Sequence, residues 1–578
     1  MRSDPQSSSA ALRVRSERWA PPGASSGFTA EWREVTVQYP FANRQAVGPI
    51  SLGIRQGERV LLLGPSGSGK STLLLTLTGL VPNSIPATVS GHTCLYGTNV
   101  ATRQPWAWAT QVAQYFQDAD QTLCGMRVED EIAFALENRA LSPTCIAECV
   151  TAAMRRVGVP ENWRERPSST LSGGERQLVA LAATLVQNAP LFVLDEPTAH
   201  LASQAADRLH ALLTRHDSSR SVLIVDHRLE GLIRQIDRTV VLGRDGTIMA
   251  DGHPRAIFRA KRDLLTMEGI WCPVASALDA RLEEAGIAPP IAPLSVDEAL
   301  AHVDPATAPR EHIERALPAV EAFVAEYTER RFQTPPGAPV LARLVNACCA
   351  PFLGPTVLRN IDLAIHEGEI LGLLGANGAG KSTLGLCLSG LLPLKAGNRT
   401  GAQGGYAFQR PENQFTAGTV RGEILDALPK QMAGTAKAER VAEALAAWGL
   451  SGLENRHPFE LSQGQKRRLA LAALTASGRW PLLVLDEPTA GLDAHGVSTL
   501  ISEILTLHGK GHAIAVITHD MDFALRLCPR SILVGEGGIL ADGPTQALMG
   551  DTALLQRAGL AEPSCAGALH WLRRVASC

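Results

Sequence analysis

The sequence lacks any apolar run long enough to cross a membrane. A transmembrane helix needs about 20 consecutive apolar residues, and no uninterrupted stretch of about 18 occurs in the 578 residues. The first 27 residues also lack the apolar core of a secretory signal peptide, and their Ser and Pro content is typical of a flexible arm. We therefore expect a soluble, cytosolic protein with a flexible N-terminal arm at 1–27.

The sequence has little excess charge of either sign. It carries 54 Lys+Arg against 57 Asp+Glu, a net charge of -3. Proteins whose main partner is a nucleic acid usually have a basic field, so we expect no nucleic-acid partner.

Paired cysteines are also scarce. Eleven cysteines are scattered through the chain, and the close pairs are Cys145/Cys149 and Cys348/Cys349. Neither pair has the spacing of a zinc site or of a disulfide framework. The cysteines are best interpreted as reduced thiols that pack as small hydrophobic side chains.

What the sequence does contain is an internal duplication. With 45% hydrophobic residues it can form large cores, and its length allows three or four domains. Four motifs recur in the same order: LLLGPSGSGKST at 61–72 and GLLGANGAGKST at 372–383, LSGGERQ at 171–177 and LSQGQKRR at 461–468, LFVLDEPTAH at 191–200 and LLVLDEPTAG at 482–491, LIVDH at 223–227 and AVITH at 515–519. We predict two homologous domains, 28–300 and 340–578, joined by a Pro-rich linker with some helix at 301–339.

In each half a glycine-rich loop lies between an apolar strand and a Leu-rich helix, which is the context of a P-loop. Backbone N–H groups of such a loop surround a phosphate, its lysine reaches the β- and γ-phosphates, and its serine can ligate Mg²⁺. One match can be a chance glycine turn, whereas two matches followed by the same later motifs predict two phosphate sites. The residues are Gly64, Gly67, Gly69, Lys70, Ser71 and Thr72, and Gly375, Gly378, Gly380, Lys381, Ser382 and Thr383.

Two apolar strands end in an acidic pair. Asp195 and Asp486 at the strand tips would hold Mg²⁺ through water, and Glu196 and Glu487 are placed to polarise an attacking water. The alternative is that these carboxylates cap the following helix.

A histidine follows another apolar strand in each half, about 32 residues after the Asp-Glu pair: His227 and His519. A single histidine there is more often a core residue, but the repeated placement favours a sensor of the γ-phosphate. Ser172 and Ser462 suit helix N-cap positions, and an exposed helix start can also bind an anion.

The order of these motifs resembles that of the ATP-binding cassette (ABC) family over nearly the whole chain outside the arm and linker. The resemblance implies an α/β fold with two P-loop NTPase (RecA-like) cassettes in tandem, each with an antiparallel β layer and a helical signature subdomain. It also implies that the cassettes pack head to tail, with ATP and Mg²⁺ between the P-loop of one half and the signature of the other. One site would use Lys70, Ser71, Gln117, Asp195, Glu196 and His227 with Ser462 and Gly464; the other would use Lys381, Ser382, Gln409, Asp486, Glu487 and His519 with Ser172, Gly173 and Gly174. The implied catalytic residues are Glu196, His227, Glu487 and His519, and the implied metal ligands are Ser71, Gln117 and Asp195, and Ser382, Gln409 and Asp486.

The segments after the loop glutamines, 115–138 and 407–428, resemble the ATPases of energy-coupling-factor importers, which include cobalt/nickel and vitamin systems. Residues 251–300 resemble the C-terminal extension of that group. The resemblance implies a peripheral ATPase on the cytoplasmic side of the cell (inner) membrane, with a transmembrane scaffold subunit and a substrate-binding membrane subunit as partners. The implied substrate is a vitamin or its precursor, or else a transition-metal ion.

Polar residues beside the glutamine loops could meet basic residues of such a scaffold, although an ordinary solvated loop is the alternative. They are Asp118, Asp120, Glu412 and Gln414.

The main alternative function is a soluble twin-cassette ATPase that acts on ribosomes. Those proteins usually carry a basic helical linker, whereas the linker at 301–339 is Pro-rich and slightly acidic. Repair cassettes carry zinc modules or long coiled coils, which the sequence lacks, and peptide-importer ATPases differ in their glutamine-loop sequences.

The two predicted sites differ at the position that would contact the adenine base. Tyr39 lies 31 residues before Lys70, where the family places an aromatic ring against adenine. The equivalent position in the second half is Ala350, with Phe352 nearby. The alternative for Tyr39 is a turn aromatic beside Pro40.

The sites also differ in their loops. The second half has the family's aspartate in Gly491-Leu492-Asp493, where the first half has His200-Leu201-Ala202. Gln463 replaces a glycine in the second signature. The stretch from P-loop lysine to loop glutamine is 28 positions in the second half against 47 in the first, which predicts the loss of a β-hairpin. We therefore expect two non-equivalent sites.

Overall fold

A computed structural model describes residues 27–198, 203–213, 219–328, 337–535 and 537–577. Nearly all of the predicted arm at 1–27 lies outside these residues, as does the first half's His200-Leu201-Ala202. The side chain of Asp120 is likewise outside the described part of the chain.

Each half contains a mainly parallel six-stranded sheet and a smaller antiparallel sheet. Apolar runs such as LFVLD and AIAVIT form central strands that are buried throughout, as expected of parallel strands covered on both faces. The strands of the first half are β1 (Phe28–Gln38), β2 (Val47–Arg55), β3 (Arg59–Leu63), β4 (Thr88–Leu95), β5 (Thr98–Asn99), β6 (Val112–Tyr115), β7 (Leu191–Asp195), β8 (Ser221–Val225), β9 (Arg238–Leu242) and β10 (Ile248–Gly252). The six-stranded sheet has the order β10-β9-β3-β8-β7-β6, and the antiparallel sheet has the order β2-β1-β4-β5.

The second half repeats this arrangement with one strand fewer. Its strands are β11 (Val340–Cys349), β12 (Leu358–His366), β13 (Ile370–Leu374), β14 (Ala396–Gly401), β15 (Gly404–Ala407), β16 (Leu482–Asp486), β17 (Ala513–Thr518), β18 (Arg530–Gly535) and β19 (Gly538–Pro544). The sheets have the orders β15-β16-β17-β13-β18-β19 and β12-β11-β14. Residues 381–409 are all described and contain no counterpart of β5, the second strand of the β4–β5 hairpin. The shorter spacing therefore removes half of that hairpin rather than all of it.

Some helices of each half cover its six-stranded sheet, and others form a separate helical group. The helices of the first half and the connecting segment are α1 (Lys70–Leu77), α2 (Leu80–Asn83), α3 (Val128–Glu137), α4 (Pro143–Val157), α5 (Gly173–Leu185), α6 (Ser203–Leu213), α7 (Pro254–Ala260), α8 (Arg262–Met267), α9 (Val274–Glu284), α10 (Val296–Leu300) and α11 (Arg310–Thr328). Those of the second half are α12 (Lys381–Ser389), α13 (Val420–Asp426), α14 (Gly434–Ala447), α15 (Gln463–Ala476), α16 (Ala494–Gly509), α17 (Met521–Leu527), α18 (Thr545–Met549), α19 (Thr552–Arg557) and α20 (Ala566–Ala576). Helices α3–α5 pack around a core of their own, and α13–α15 pack together in the second half. The tandem α/β fold with an antiparallel layer and a helical subdomain in each half is thus confirmed.

Helices of both halves meet in a shared layer. Helices α9–α11 contribute to one apolar cluster with α17–α20. Across this layer Trp571 Nε1 donates a hydrogen bond to the Val303 carbonyl over 2.8 Å, and Arg574 pairs with Asp304 over 2.9 Å. Helix α11 lies within the segment predicted as a linker, and its Phe323 is fully buried. The connecting segment therefore takes part in the core, while the predicted domain boundaries stay a prediction.

Among the described residues, no helix is long and apolar enough to span a membrane.

Candidate nucleotide sites in the two halves

The two glycine-rich loops have the backbone of a phosphate cradle. Helices α1 and α12 begin at Lys70 and Lys381, and the preceding Gly69 and Gly380 have φ of 88° and 92°. A Cβ at Gly69 would lie 2.1 Å from the Ala46 carbonyl oxygen, so only glycine fits there. Loop N–H groups at a helix start, next to a buried lysine, can bind a phosphate chain.

The two lysines are held in the same way. Lys70 Nζ donates to the carbonyls of Gly64 and Pro65 over 2.8 and 3.0 Å. Lys381 Nζ donates to those of Gly375 and Ala376 over the same distances. Burial lowers the pKa of both lysines.

Asp195 of the first half fits a Mg²⁺ ligand. It ends β7 beside Ser71, and its Oδ1 is buried without a hydrogen-bond partner among the described residues. Burial raises the pKa of Asp195 to about 6, although the Ser71 hydroxyl opposes this. No cluster of three or more His, Cys, Asp or Glu able to hold a metal occurs in the described ranges. One carboxylate and one hydroxyl is nevertheless the small protein set with which Mg²⁺ binds nucleotide phosphates.

Asp486 of the second half has a different environment. Tyr406 Oη donates to Asp486 Oδ2 over 2.7 Å, and burial raises the pKa of Asp486. In the first half Gln114 takes the place of Tyr406, and it accepts instead from Thr78 Oγ1 over 2.9 Å. Sequence reasoning missed Tyr406, whose signal was its position on the glutamine-loop strand, which pairs with the strand that ends in Asp486.

The predicted glutamate, glutamine and histidine of the first half come together. Gln117 Nε2 donates to Glu196 Oε2 over 3.1 Å, and His227 Nε2 lies 3.0 Å from Glu196 Oε1. Burial opposes ionisation of Glu196, but the hydrogen bond and charge of His227 outweigh it and lower the pKa of Glu196. An ionised glutamate in this position can accept a hydrogen bond from a water molecule.

The second half repeats the glutamate–histidine pair without the glutamine contact. His519 Nδ1 lies 2.9 Å from Glu487 Oε1, and Lys381 Nζ lies 3.8 Å from the same oxygen. Burial again opposes ionisation, and the charge of His519 outweighs it, so the pKa of Glu487 is lowered. Gln409 is exposed on the wall of the cleft.

Glu196 and Glu487 share a strained backbone. Their φ values are 49° and 44°, in the left-handed region that costs a non-glycine residue roughly 1–2 kcal/mol. Such strain clusters at functional sites because the surrounding structure must hold it.

Both signature motifs start helices, as predicted. Ser172 Oγ accepts from the Glu175 N–H over 3.4 Å, and the Glu175 carboxylate accepts from the Ser172 N–H over 2.8 Å. Ser462 and Gln465 form the same reciprocal pair at 3.3 and 3.0 Å. The glycines of the two motifs follow in the first turn: Gly173, Gly174 and Gly464.

Helix α15 is tied to the loop that follows β16 in its own half by Arg467. Its guanidinium donates to the carbonyls of Glu487 and Ala490 over 3.0 and 3.3 Å. The side chain is buried, and burial lowers the pKa of Arg467 to about 10. The first half has Gln177 at this position, and sequence reasoning singled out neither residue.

The residue before the predicted sensor histidine differs between the halves. In the first half it is a buried aspartate with several hydrogen-bond partners, and in the second half it is a threonine. Asp226, directly before His227, accepts from Thr198 Oγ1 over 2.7 and 2.8 Å and lies 3.2 Å from His210 Nε2. Thr518 stands in its place in the second half and donates to Glu487 over 3.4 Å. Sequence reasoning did not identify Asp226 either, because the residue directly follows an apolar run and was grouped with that strand.

One P-loop touches the opposite half. Asp493 caps α16 by accepting from the Gly496 N–H over 2.7 Å, and its second oxygen accepts from the Ser66 N–H over 3.2 Å. The glutamine loops also approach each other, with Arg410 3.5 Å from Asp118. A cleft of about 970 Å³ between the halves is lined by residues of both, among them Glu196, His227, Gln409, Glu487 and His519.

The aromatic asymmetry predicted from the sequence is present in three dimensions. Tyr39 lies beside the first P-loop helix, with Tyr39 Oη 3.1 Å from Thr72 Oγ1. Ala350 is buried at the equivalent place in the second half, while the nearby Phe352 is 80% exposed. The second site therefore lacks a ring at this position.

Residues predicted to face a partner make contacts within the chain. Glu412 accepts from Lys466 Nζ over 2.8 Å and from Gln463 Nε2 over 3.3 Å. Gln414 Nε2 donates to the Ala470 carbonyl over 3.2 Å. Any docking role for these side chains must coexist with these bonds.

Comparison with known proteins matches both halves. A family profile described as ABC transporter matches residues 47–199 and 358–490. The putative HMP/thiamine import ATP-binding protein YkoD of Bacillus subtilis is 31% identical over 548 residues, 92% of this chain and 94% of its own. A putative ABC transporter ATP-binding protein of Streptomyces coelicolor is 33% identical over 545 residues, 89% of this chain and 93% of its own. A solved structure of cbiO1 from Clostridium perfringens, described as part of the ABC transporter complex cbiONQ, is 24% identical, with a TM-score of 0.36 over 42% of this chain and 94% of that chain.

These matches confirm the family predicted from the motifs. The relatives align across the connecting segment as well as across each P-loop half, so the twin arrangement is common to them. The chain accordingly belongs to the ABC transporter family, as a twin-cassette ATP-binding protein whose hydrolysis of ATP is coupled to transport.

Proposed function

We propose that this protein is the ATP-hydrolysing subunit of an energy-coupling-factor importer, which takes up a micronutrient through separate membrane subunits. The observation that carries the proposal is the alignment of both halves with a relative named for HMP/thiamine import. The resemblance of segments 115–138, 407–428 and 251–300 to importers of this type supports it.

Two composite sites bind ATP in this proposal, each completed by the signature of the other half. The first combines Tyr39, Gly64, Gly67, Gly69, Lys70, Ser71, Thr72, Gln117, Asp195, Glu196 and His227 with Ser462 and Gly464; the second combines Gly375, Gly378, Gly380, Lys381, Ser382, Thr383, Gln409, Asp486, Glu487 and His519 with Ser172, Gly173 and Gly174. The bond from Ser66 to Asp493 supports a pairing in which each site draws on both halves.

The side chains divide the work of phosphoryl transfer to water. Glu196 and Glu487 are the bases that orient the attacking water, and His227 and His519 hold them ionised and in place. When ATP binds, the ammonium groups of Lys70 and Lys381 donate to phosphate oxygens instead of to the loop carbonyls. Mg²⁺, held by Ser71, Gln117 and Asp195 or by Ser382, Gln409 and Asp486, would supply positive charge to the phosphate chain.

The first candidate for the transported substrate is a vitamin or its precursor, and the second candidate is a transition-metal ion. The Bacillus relative named for HMP/thiamine import supports the vitamin class. Uptake of labelled HMP or thiamine, compared with uptake of cobalt or nickel, distinguishes the two classes in cells that carry this chain with its membrane subunits.

The docking surface is tested by co-expression with a transmembrane scaffold. The protein alone is expected in the soluble fraction, and with the scaffold it is expected in the membrane fraction. Charge reversal by Glu412→Lys should weaken that association and leave ATP binding intact. Because Glu412 pairs with Lys466 over 2.8 Å, the matched control is Glu412→Lys with Lys466→Glu, which restores the internal pair but keeps the reversed surface charge.

The control separates docking from folding. Loss of membrane association in both variants supports a surface contact, and recovery in the double variant assigns the effect to the internal pair. Sedimentation of the native protein with ribosomes, and with no membrane protein, would instead establish the alternative function of a soluble twin-cassette ATPase in translation.

A further inference from the structure

The two P-loops are braced by different neighbours. In the second half the N–H of Ala376, the first residue after Gly375, donates to the Ala558 carbonyl over 3.1 Å. In the first half the equivalent residue is Pro65, which has no N–H to donate. A hydrogen bond that holds one P-loop is thus chemically impossible at the other.

The same turn of chain exists in both halves but packs on different partners. Gly269 and Gly559 occupy it with φ of 71° and 67°. A Cβ on Gly559 would lie 2.9 Å from Ala376 Cβ, at the P-loop of the same half. A Cβ on Gly269 would instead lie 2.6 Å from His495 Cβ, in α16 of the opposite half.

In the second half the Ala558 carbonyl accepts a hydrogen bond from the P-loop. The equivalent carbonyl of the first half accepts a hydrogen bond from an arginine instead. Glu268 is the counterpart of Ala558, and its carbonyl accepts from Arg244 Nη2 over 3.4 Å. Arg244 Nε also donates to the Glu268 carboxylate over 3.0 Å. The turn of the first half therefore bonds to an arginine where that of the second half bonds to a P-loop.

The turn at 558–560 is itself firmly held. Leu555, Ala558 and Leu560 are buried in the cluster shared by α9–α11 and α17–α20. Leu374, the last residue of β13 before the P-loop, belongs to the same cluster. The second P-loop is thus attached on two sides to a layer that both halves build.

We propose that the turn Ala558–Gly559–Leu560 is a positioning element for the phosphate loop of the second site, a support that the first P-loop lacks because Pro65 has no N–H to donate. Ser66 of the first P-loop donates to Asp493 over 3.2 Å, so its brace depends on the approach of the two halves. The bond that braces the second P-loop joins two residues of the same half, Ala376 and Ala558. This inference holds whichever substrate the transporter carries.

The test reads ATP affinity at one site at a time in the full-length chain. Lys70→Ala leaves the second site to be titrated with Mg-ATP by calorimetry, and Lys381→Ala leaves the first. In the Lys70→Ala background, Ala376→Pro removes the N–H and copies the residue that the first half already has. The Kd for ATP is expected to rise about two- to tenfold, the value of one hydrogen bond.

A second variant disturbs the brace from the other side. Gly559→Ala places a methyl group against Ala376 and is expected to weaken ATP binding at the second site by a similar factor. Gln556→Ala, on the exposed face of α19, is the control and should leave the Kd unchanged. In the Lys381→Ala background all these variants should bind ATP as that background does.

The outcomes separate positioning from general destabilisation. A loss confined to the Lys381 site supports the proposal. Equal losses at both sites, or an unchanged Kd at the second site in Ala376→Pro, overturn it. If Ala376→Pro fails to fold by circular dichroism, the comparison of Gly559→Ala with Gln556→Ala decides by the same criterion.

Discussion

Tyr39 and Ala350 occupy equivalent places before the two P-loops, and only the first offers a ring. Tyr39 is fixed beside the loop by its contact with Thr72 at 3.1 Å, so it needs little reordering to stack on a base. Ala350 is buried and too small to do so. The two sites should therefore differ in affinity for ATP.

Titration of the single-lysine variants measures this difference. Stacking of a base on an aromatic side chain is worth about 1–3 kcal/mol, and about 1.4 kcal/mol is a tenfold change in affinity. Lys381→Ala, which leaves the Tyr39 site, should therefore bind ATP several-fold to a hundredfold more tightly than Lys70→Ala. Adding Tyr39→Ala to Lys381→Ala should remove most of the advantage. Equal affinities in the two lysine variants would show that another group, such as Phe352, replaces the missing ring.

Tyr406 makes a second residue-level difference, at the carboxylates. The change Tyr406→Phe keeps the ring but removes the hydroxyl that donates to Asp486 over 2.7 Å. A buried carboxylate that loses a donor costs about 1–3 kcal/mol, so urea should unfold the variant at a lower concentration. Saturating Mg-ATP is expected to reduce this difference, because ligands at the second site would again satisfy the carboxylate. An unchanged urea midpoint without nucleotide would contradict the stabilising role of the bond.

At the scale of elements, the second half joins its signature helix to the loop after β16 through an arginine where the first half has Gln177. Arg467 reaches from α15 to the backbone of Glu487 and Ala490. The bonds attach the helix to a loop whose Glu487 has a left-handed backbone, with a φ of 44°. Arg467 therefore joins α15 directly to the backbone of the glutamate.

Replacement of Arg467 by glutamine, the residue of the first half, tests this coupling. A hydrogen bond to a charged group contributes about 1.5–3 kcal/mol, so in the Lys70→Ala background single-turnover hydrolysis at the second site should slow by about tenfold or more. ATP binding should change little, because Arg467 does not reach the P-loop. The neighbouring Arg468→Gln is the matched control. A loss of binding equal to the loss of hydrolysis would indicate general damage to the site.

At the scale of the whole molecule, the shared helical layer makes the halves one structural unit. Asp522 of α17 lies in this layer and accepts from the backbone N–H and the hydroxyl of Ser564 over 2.8 and 2.6 Å. Burial raises the pKa of Asp522 to about 7, and the charges of Asp520 and of Glu230 in the first half act in the same direction. The junction therefore carries a carboxyl group that favours its neutral form.

The pH dependence of stability follows from this shift. The pKa of Asp522 is higher in the folded chain than the ordinary value of about 3.9, so the folded state binds its proton more tightly. The stabilisation is fully present below pH of about 4 and is lost as pH rises to about 7. The change Asp522→Asn keeps a neutral side chain at all pH values. Between pH 5 and pH 8, the urea midpoint of this variant should rise relative to that of the unaltered chain. A difference between the two midpoints that stays constant across this range would contradict the assignment.

The duplication, the P-loops, the acidic strand ends, the capped signature helices and the family could all be predicted from the sequence. Each depends on short-range chemistry: glycines where φ must be positive, apolar runs where a strand is covered on both faces, and serines where a helix begins. The missing ring at Ala350 was visible for the same reason, since a fixed spacing from the lysine places it.

Tertiary structure alone decided which distant groups meet. Tyr406 and Asp486 are 80 residues apart and are joined only because β15 pairs with β16. Ala376 and Ala558 are far apart in the sequence, and the bond between them forms where α19 and Leu374, the last residue of β13, join the same apolar cluster. The raised pKa of Asp522 likewise depends in part on the charge of Glu230, which only the folded chain brings near it. Such contacts arise from the packing of whole elements, which no local pattern of residues specifies.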